Sequence, residues 1–281
     1  MLVSRALEDG FGDILRKARF GLGLDQTKLA EITGLTADTI NRFEAGLRTP
    51  TDAEAERLAR ALGLGVEAFK AIIHGWVPPE IDTGPYAVRT FRFASMDSNG
   101  YLVTGGGIAT SLFVDPGDRP DELIAACIQS GGLDAVLVTH SHSDHVQALP
   151  ELVNRFPEAL VVGHEKALRR LALPGGVKAV AVTRDERVPI GSFELEVWES
   201  PGHSDDGVVF IAGNIAFTGD TLFAGSLGRS AQGPVTYERL LRSAQRLLAL
   251  DERTVLLPGH GPVTTVALES VHNPFLAREG R

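Results

Sequence analysis

Ala135-Val136-Leu137-Val138-Thr139 runs without a break into His140-Ser141-His142-Ser143-Asp144-His145, and the reading of this stretch decides the fold. The opening residues are a short continuous apolar run, the pattern of a strand buried on both faces. The six that follow carry four candidate ligands, spaced too tightly to share one face of a regular helix or strand. They are expected to form a loop curled around something that rewards their convergence. A mixture of imidazoles and carboxylates suits zinc, iron or manganese.

Working outward, three more candidates stand in similar settings: His203 in Ser200-Pro201-Gly202-His203, Asp220 in Phe217-Thr218-Gly219-Asp220, and His260 in Leu257-Pro258-Gly259-His260-Gly261. Each follows a strand-like run and a glycine, which lets the chain turn tightly and present a side chain at a sheet edge. Further β-rich runs span residues 88–94, 100–103, 111–114, 159–162, 178–183, 193–199, 208–211, 215–218 and 254–257, with helical patterns at 121–130, 146–156, 165–171 and 237–250. Alternation of this kind predicts sheets covered by helices.

These segments closely resemble the metallo-β-lactamase fold superfamily, and within it the glyoxalase II-like hydrolases. The resemblance covers residues 88–277, including Asn99-Gly100-Tyr101-Leu102-Val103, the run from Thr218 to Ser226, Gly228-Arg229, Pro258-Gly259-His260-Gly261-Pro262 and Asn273-Pro274-Phe275-Leu276. It implies an αββα sandwich with two divalent metal ions, zinc first and iron or manganese as alternatives. One ion falls to His140, His142 and His203, the other to Asp144, His145 and His260, with Asp220 shared between them. The activity implied is hydrolysis of a small ester, thioester or lactone by a metal-held hydroxide. Asp144 and Asp220 are then the catalytic carboxylates, Asp144 orienting the nucleophile. The persulfide dioxygenase branch of the superfamily, which uses one iron held by two histidines and the aspartate, is the alternative chemistry. Many zinc β-lactamases carry cysteine at the position of Asp220, so the match leans away from them.

The pattern also departs from its relatives. Gly228-Arg229-Ser230-Ala231 lacks the acidic residue of the commoner Gly-Arg-x-Asp, and Ser204-Asp205-Asp206 replaces Thr-x-Gly. Both changes are expected to line the mouth of the site, with Arg229 pinning the glycine-rich loop. The C-terminal helical domain that helps long glyoxalase II enzymes hold glutathione has no counterpart after Leu276, so a glutathione site is not assumed. His74, His164 and His272 are read as ordinary hydrogen-bonded residues and Cys127 as a packed thiol.

From Phe11 to Ile73 apolar residues recur three and four apart, in short helices stopped by Gly23, Gly34, Gly46 and Gly63. Leu24 to Gly46 resembles the helix-turn-helix of Xre/Cro-type repressors, with Gly34 in the turn and Leu29, Leu35 and Ile40 in the core. That resemblance implies a DNA contact from Gln26 to phosphate, and a groove-facing set of Thr36, Ala37, Asp38, Thr39, Asn41 and Arg42. Three prolines between Trp76 and Pro85 mark a linker. The expected organisation is an all-α helix-turn-helix bundle over residues 1–75, a linker over 76–87 and the metal domain over 88–281, an α+β chain overall.

The chain has 281 residues, enough for two domains. Its single cysteine excludes a disulfide scaffold, and no apolar run approaches the length of a membrane span. Glu8, Asp9 and Asp13 stand where a signal peptide needs apolar residues, and a cytoplasmic protein is expected. Residues 1–77 hold 10 Lys/Arg against 11 Asp/Glu, and the remainder 17 against 25. Neither part is basic in bulk, and Asp38 on the recognition helix opposes phosphate. DNA binding is therefore expected to be weak in a monomer and to call for a homodimer. Two functional expectations coexist: a hydrolase with a small acyl substrate, and a transcriptional regulator whose metal domain senses a metabolite.

Overall fold

A computed structural model describes residues 6–94 and 97–277. Five helices come first: α1 (Phe11–Gly21), α2 (Gln26–Thr33), α3 (Ala37–Glu44), α4 (Asp52–Leu62) and α5 (Val66–Ile73). Their ends follow from local chemistry. Asp25 accepts from the Lys28 amide, Thr36 from the Thr39 amide, and Thr51 and Glu54 cap α4 reciprocally. Ile40 and Phe43 of α3 are fully buried against Leu29 and Leu58, whereas Ile32, part of the apolar periodicity, is half exposed. The polar stretch around it leaves that position on the outer side of a short helix.

Next come β1 (Tyr86–Phe93), β2 (Ser98–Gly105), β3 (Leu112–Val114), α6 (Pro120–Gln129), β4 (Ala135–Val138), α7 (Ser143–Val146), α8 (Leu149–Arg155), β5 (Leu160–His164), α9 (Glu165–Leu171) and β6 (Ala179–Val182). The second half adds β7 (Glu186–Ile190), β8 (Phe193–Glu199), β9 (Val208–Ala212), β10 (Ile215–Gly219), β11 (Leu222–Phe223), β12 (Ser226–Leu227), α10 (Pro234–Leu247), β13 (Val255–Pro258), β14 (Thr264–Thr265) and α11 (Val266–His272). The helix expected at 146–156 is split: Pro150 opens α8, and the ligand loop ends in the single turn of α7. The sequence reading has no counterpart of β7, whose Pro189 cannot donate to a ladder. It is an edge strand, where that loss is tolerated.

Two six-stranded sheets, ordered β1-β2-β3-β4-β5-β6 and β14-β13-β10-β9-β8-β7, pack face to face. Tyr101, Val103, Leu137 and Val162 meet Leu195, Val197, Phe210 and Phe217 between them. β4 shows why its run is apolar throughout. Ala135 and Leu137 point into that inter-sheet layer, while Val136 and Val138 point the other way onto Leu123, Leu149 and Leu152 of α6 and α8. The outer face of the second sheet, formed by Val209, Ile211, Ala216 and Leu256, is covered by Tyr237, Leu240 and Leu247 of α10. The same apolar cluster continues into Ile14, Leu15, Phe43, Leu58 and Phe69 of the N-terminal helices. The architecture is an αββα sandwich with the helical bundle fused onto one outer layer. Among the described residues no helix is long and apolar enough to cross a membrane.

Candidate metal centre

The seven candidate side chains leave the ends of four strands. His140, His142, Asp144 and His145 follow β4, His203 follows β8, Asp220 follows β10 and His260 follows β13. Parallel pairing of β10 with β13 brings Gly219 beside Pro258, and the Gly259 amide donates to the Gly219 carbonyl. Gly259 is required for proximity: a Cβ there would lie 2.3 Å from Asp220 Oδ1 and 2.8 Å from His145 Cε1. Asn99 holds this loop from the opposite sheet, its amide donating to the carbonyls of Pro258 and Gly261.

The structure brings all seven residues together: His140, His142 and His203 form a first cluster, Asp144, His145 and His260 a second, and His140, His145 and Asp220 a group that bridges them. In the first, His142 Nδ1 lies 3.1 Å from His140 Nε2 and 3.0 Å from His203 Nε2, and His203 Nε2 lies 3.3 Å from Asp220 Oδ2. In the second, Asp144 Oδ2 is 3.4 Å from both His145 Nε2 and His260 Nε2. Asp220 faces both clusters, with Oδ1 3.4 Å from His145 Nε2 and Oδ2 3.6 Å from His260 Nε2. Ligand atoms about 2.0–2.1 Å from a tetrahedral ion are separated by about 3.3 Å, so these spacings fit a cation at the centre of each cluster.

The outer hydrogen bonds decide which nitrogens carry protons. His203 Nδ1 is 2.8 Å from the Arg229 carbonyl, which can only accept. Thr139 Oγ1 donates to Asp115 Oδ2 at 2.6 Å and so accepts from His140 Nδ1 at 3.1 Å. His145 Nδ1 donates to the same Asp115 carboxylate at 3.0 Å. With Nδ1 committed outward, His140, His145 and His203 all turn Nε2 inward, the atom that carries the ligating lone pair whenever the ring is neutral. Fixed tautomers and outward donors are how proteins prepare histidine ligands. His145 Nε2 and Asp220 Oδ1 are moreover buried without a hydrogen-bond partner, a costly arrangement that a cation would relieve.

Charge follows the same division. Burial, reinforced by the neighbouring imidazoles, drives the His140 pKa well below its ordinary value, and burial also lowers that of His203. For His145 burial is outweighed by the carboxylates of Asp220, Asp115 and Asp144, which raise its pKa well above the ordinary value. His260 is raised against burial by Asp144 and Asp220. The surrounding histidines hold Asp144 and Asp220 far below the usual carboxylate range despite their burial.

Other sequence expectations fare differently. Asp206 does not line the mouth: it is fully buried, accepts from Ser141 Oγ and pairs with Arg170 at 2.8 Å, while Asp205 pairs with Lys166 and Arg170. These acids clamp the His203 loop to α9 and to the loop between the first two histidines. Arg229 meets the site through its backbone carbonyl, and its residue is otherwise exposed. His164 caps α9, His74 pairs with Asp52, His272 stacks on Trp76 and Cys127 is buried, its thiol pushed up to about 12 by desolvation. Sequence reasoning missed Asp115, whose carboxylate also accepts from the Thr139 amide, and Glu8, which approaches His260.

In the helical bundle Asp38, Asn41 and Arg42 are exposed on α3, with Thr39 and Ala37 half-buried. Thr36 is engaged as the α3 cap. Gln26 donates to Glu44 at 2.9 Å and approaches Asn41, and Glu44 is held by a buried pairing with Arg19.

The metallo-β-lactamase superfamily profile matches residues 96–260, more than half of the chain. The chain belongs to the metallo-β-lactamase superfamily. A helix-turn-helix profile matches residues 15–69. A hydroxyacylglutathione hydrolase of Tolumonas auensis is 34% identical over 163 residues, 57% of this chain and 60% of that enzyme. A probable metallo-hydrolase of Bacillus subtilis is 35% identical over 183 residues, 59% of this chain and 86% of its own length. The solved structure of TTHA1623 in a di-iron-bound form aligns with a TM-score of 0.54 and 33% identity, over 67% of this chain and all of the other. The chain thus spans about 60% of the length of the Tolumonas enzyme it matches.

Proposed function

We propose that this superfamily member is a binuclear metal-dependent hydrolase of a small ester, thioester or lactone, joined to a DNA-binding helix-turn-helix. The observation that carries the enzymatic half is the set of inward Nε2 atoms whose outer nitrogens are already committed to Asp115, Thr139 and the Arg229 carbonyl. The names of the Tolumonas and Bacillus relatives, and the di-iron form of TTHA1623, support it. His140, His142 and His203 would hold one ion, Asp144, His145 and His260 the other, and Asp220 would touch both. Bound there, divalent ions supply a hydroxide near neutral pH and polarise an acyl oxygen.

The residues of the chain supply the rest. His142 is exposed and His203 and Asp144 are partly so, whereas His145 is sealed, so substrate approaches over the first cluster. Asp144, held ionised and partly exposed, can accept a hydrogen bond from the attacking water, fixing its direction. Asp220 keeps the clusters at a set separation. Asp206 and Arg170 stiffen the loop that carries His203.

Metal analysis and a thioester and lactone screen test the reading. Two equivalents per chain with hydrolysis support it; one equivalent of iron with oxygen uptake on a persulfide turns it into the dioxygenase. Zinc is the proposed ion, with iron or manganese distinguished by the same measurement.

The regulatory half has its own observation: Asn41 and Arg42 of α3 stay open to solvent while α1 and α5 take up the packing against α10 and α11. A homodimer reading two half-sites would double the few cationic groups that can reach phosphate. Salt-dependent retention on DNA together with a dimeric mass supports this half, and no retention at low salt rejects it.

A further inference from the structure

Four of the five site histidines turn Nε2 inward, leaving Nδ1 as the outer atom. For His140, His145 and His203 that outer atom has a partner within hydrogen-bond distance. His260 differs, because its Nδ1 is buried and has no hydrogen-bond partner. A carboxylate from outside the metal domain approaches it: Glu8 Oε1, at 3.8 Å, in the segment that leads into α1.

That segment is seated firmly. The next residue, Asp9, is buried and pairs with Lys17 of α1. Lys17 also donates to the Leu227 carbonyl at 2.6 Å and lies over the Phe223 ring, which itself packs edge-on against His260. Gly261, at a φ of 77°, lets the chain pass close by, since a Cβ there would stand 3.0 Å from Glu8 Cβ and 3.2 Å from its amide nitrogen. Leu7 lies over Gly225 in the loop that follows Asp220. The route to His260 Nδ1 is therefore occupied by the Glu8 side chain. A shift of about 0.9 Å brings it to ordinary hydrogen-bond length.

We propose that Glu8 of the helix-turn-helix region is a positioning residue of the metal centre, accepting the Nδ1 proton of His260 so that Nε2 is fixed as a ligand of the second ion. The assignment rests on the binuclear reading above. It makes the helical bundle a contributor to the metal site, since the metal domain alone leaves the buried outer nitrogen of His260 without an acceptor. Loss of such a partner weakens metal affinity about 10- to 100-fold.

The test uses the full chain loaded with zinc against a chelating indicator, comparing the wild type with Glu8→Ala and Glu8→Gln. The expected result is a 10- to 100-fold weaker second zinc in Glu8→Ala, a first zinc unchanged within about twofold, and a smaller loss in Glu8→Gln, whose amide oxygen still accepts. Nitrogen-edited NMR of the zinc-loaded protein reads the same bond directly. The His260 Nδ1 proton should be slow to exchange in the wild type and lost to solvent in Glu8→Ala. Should Glu8→Ala not fold, Glu8→Gln and the wild-type proton resonance decide. Equal weakening of both zincs, which signals general loosening, overturns the proposal, as does unchanged affinity in Glu8→Ala. A wild-type chain that takes a single equivalent overturns the binuclear reading itself, and Glu8's role falls with it.

Discussion

The two ligand clusters share Asp220, yet one adds three histidines and the other two histidines and an aspartate, and they differ in what surrounds them. The cluster of His140, His142 and His203 opens to solvent at His142 and is held by partners within the metal domain. The cluster of Asp144, His145 and His260 is more deeply enclosed, carries more negative charge and borders the helical bundle through Glu8. The lesson is that a shared carboxylate can join two sites with different proton affinities. Burial disfavours the protonated forms of His140 and His203 in the first cluster, whereas the facing carboxylates favour those of His145 and His260 in the second.

Asp220→Ala gives the sharpest break, because it removes the one group common to both clusters. Both equivalents should be lost in metal analysis, and hydrolysis with them, while His142→Ala should empty the first cluster selectively. Next in size is Asp115→Ala, which strands the Thr139 amide, the Thr139 hydroxyl and His145 Nδ1. We expect a loss of about 3 kcal/mol in urea unfolding and a second ion bound about 10- to 100-fold more weakly.

Acidification sharpens the comparison without mutation. A raised pKa means that His145 and His260 take up protons at higher pH than usual, whereas the lowered values of His140 and His203 keep them free. An ion must displace those protons, so as pH falls the second cluster should release its metal first. Chelator competition from about pH 8 down to about pH 5 would show two steps, and simultaneous release would contradict the distinction. The smallest effect is expected in the bundle. Changing Arg42 and Lys28 to alanine should reduce the salt dependence of DNA retention by about one unit of slope for each phosphate no longer neutralised.

Much of this was legible in the sequence because the chemistry is local. The apolar run before His140 and the glycines before His203, Asp220 and His260 announce strand ends that deliver side chains, and the structure gathers all seven. Asp115 was missed because its role depends on β3 lying beside β4, a pairing that an isolated Val114-Asp115-Pro116 does not reveal. Glu8 was harder still, being more than 250 residues from His260 in the chain. Asp206 was misplaced for the opposite reason. An acid next to a ligand suggests a lined opening, and only the arrival of Arg170 from α9 explains its burial.

The apolar layer that runs from Ile14, Phe43 and Leu58 through Tyr237 and Leu240 to Val209, Ile211 and Leu256 makes the apparent beads-on-a-string plan misleading. Cutting the chain near the prolines would strip a greasy surface from each piece, so neither should be a well-behaved substitute for the whole. Heating the intact protein should give a single calorimetric peak in which the helical bundle and the sandwich melt together.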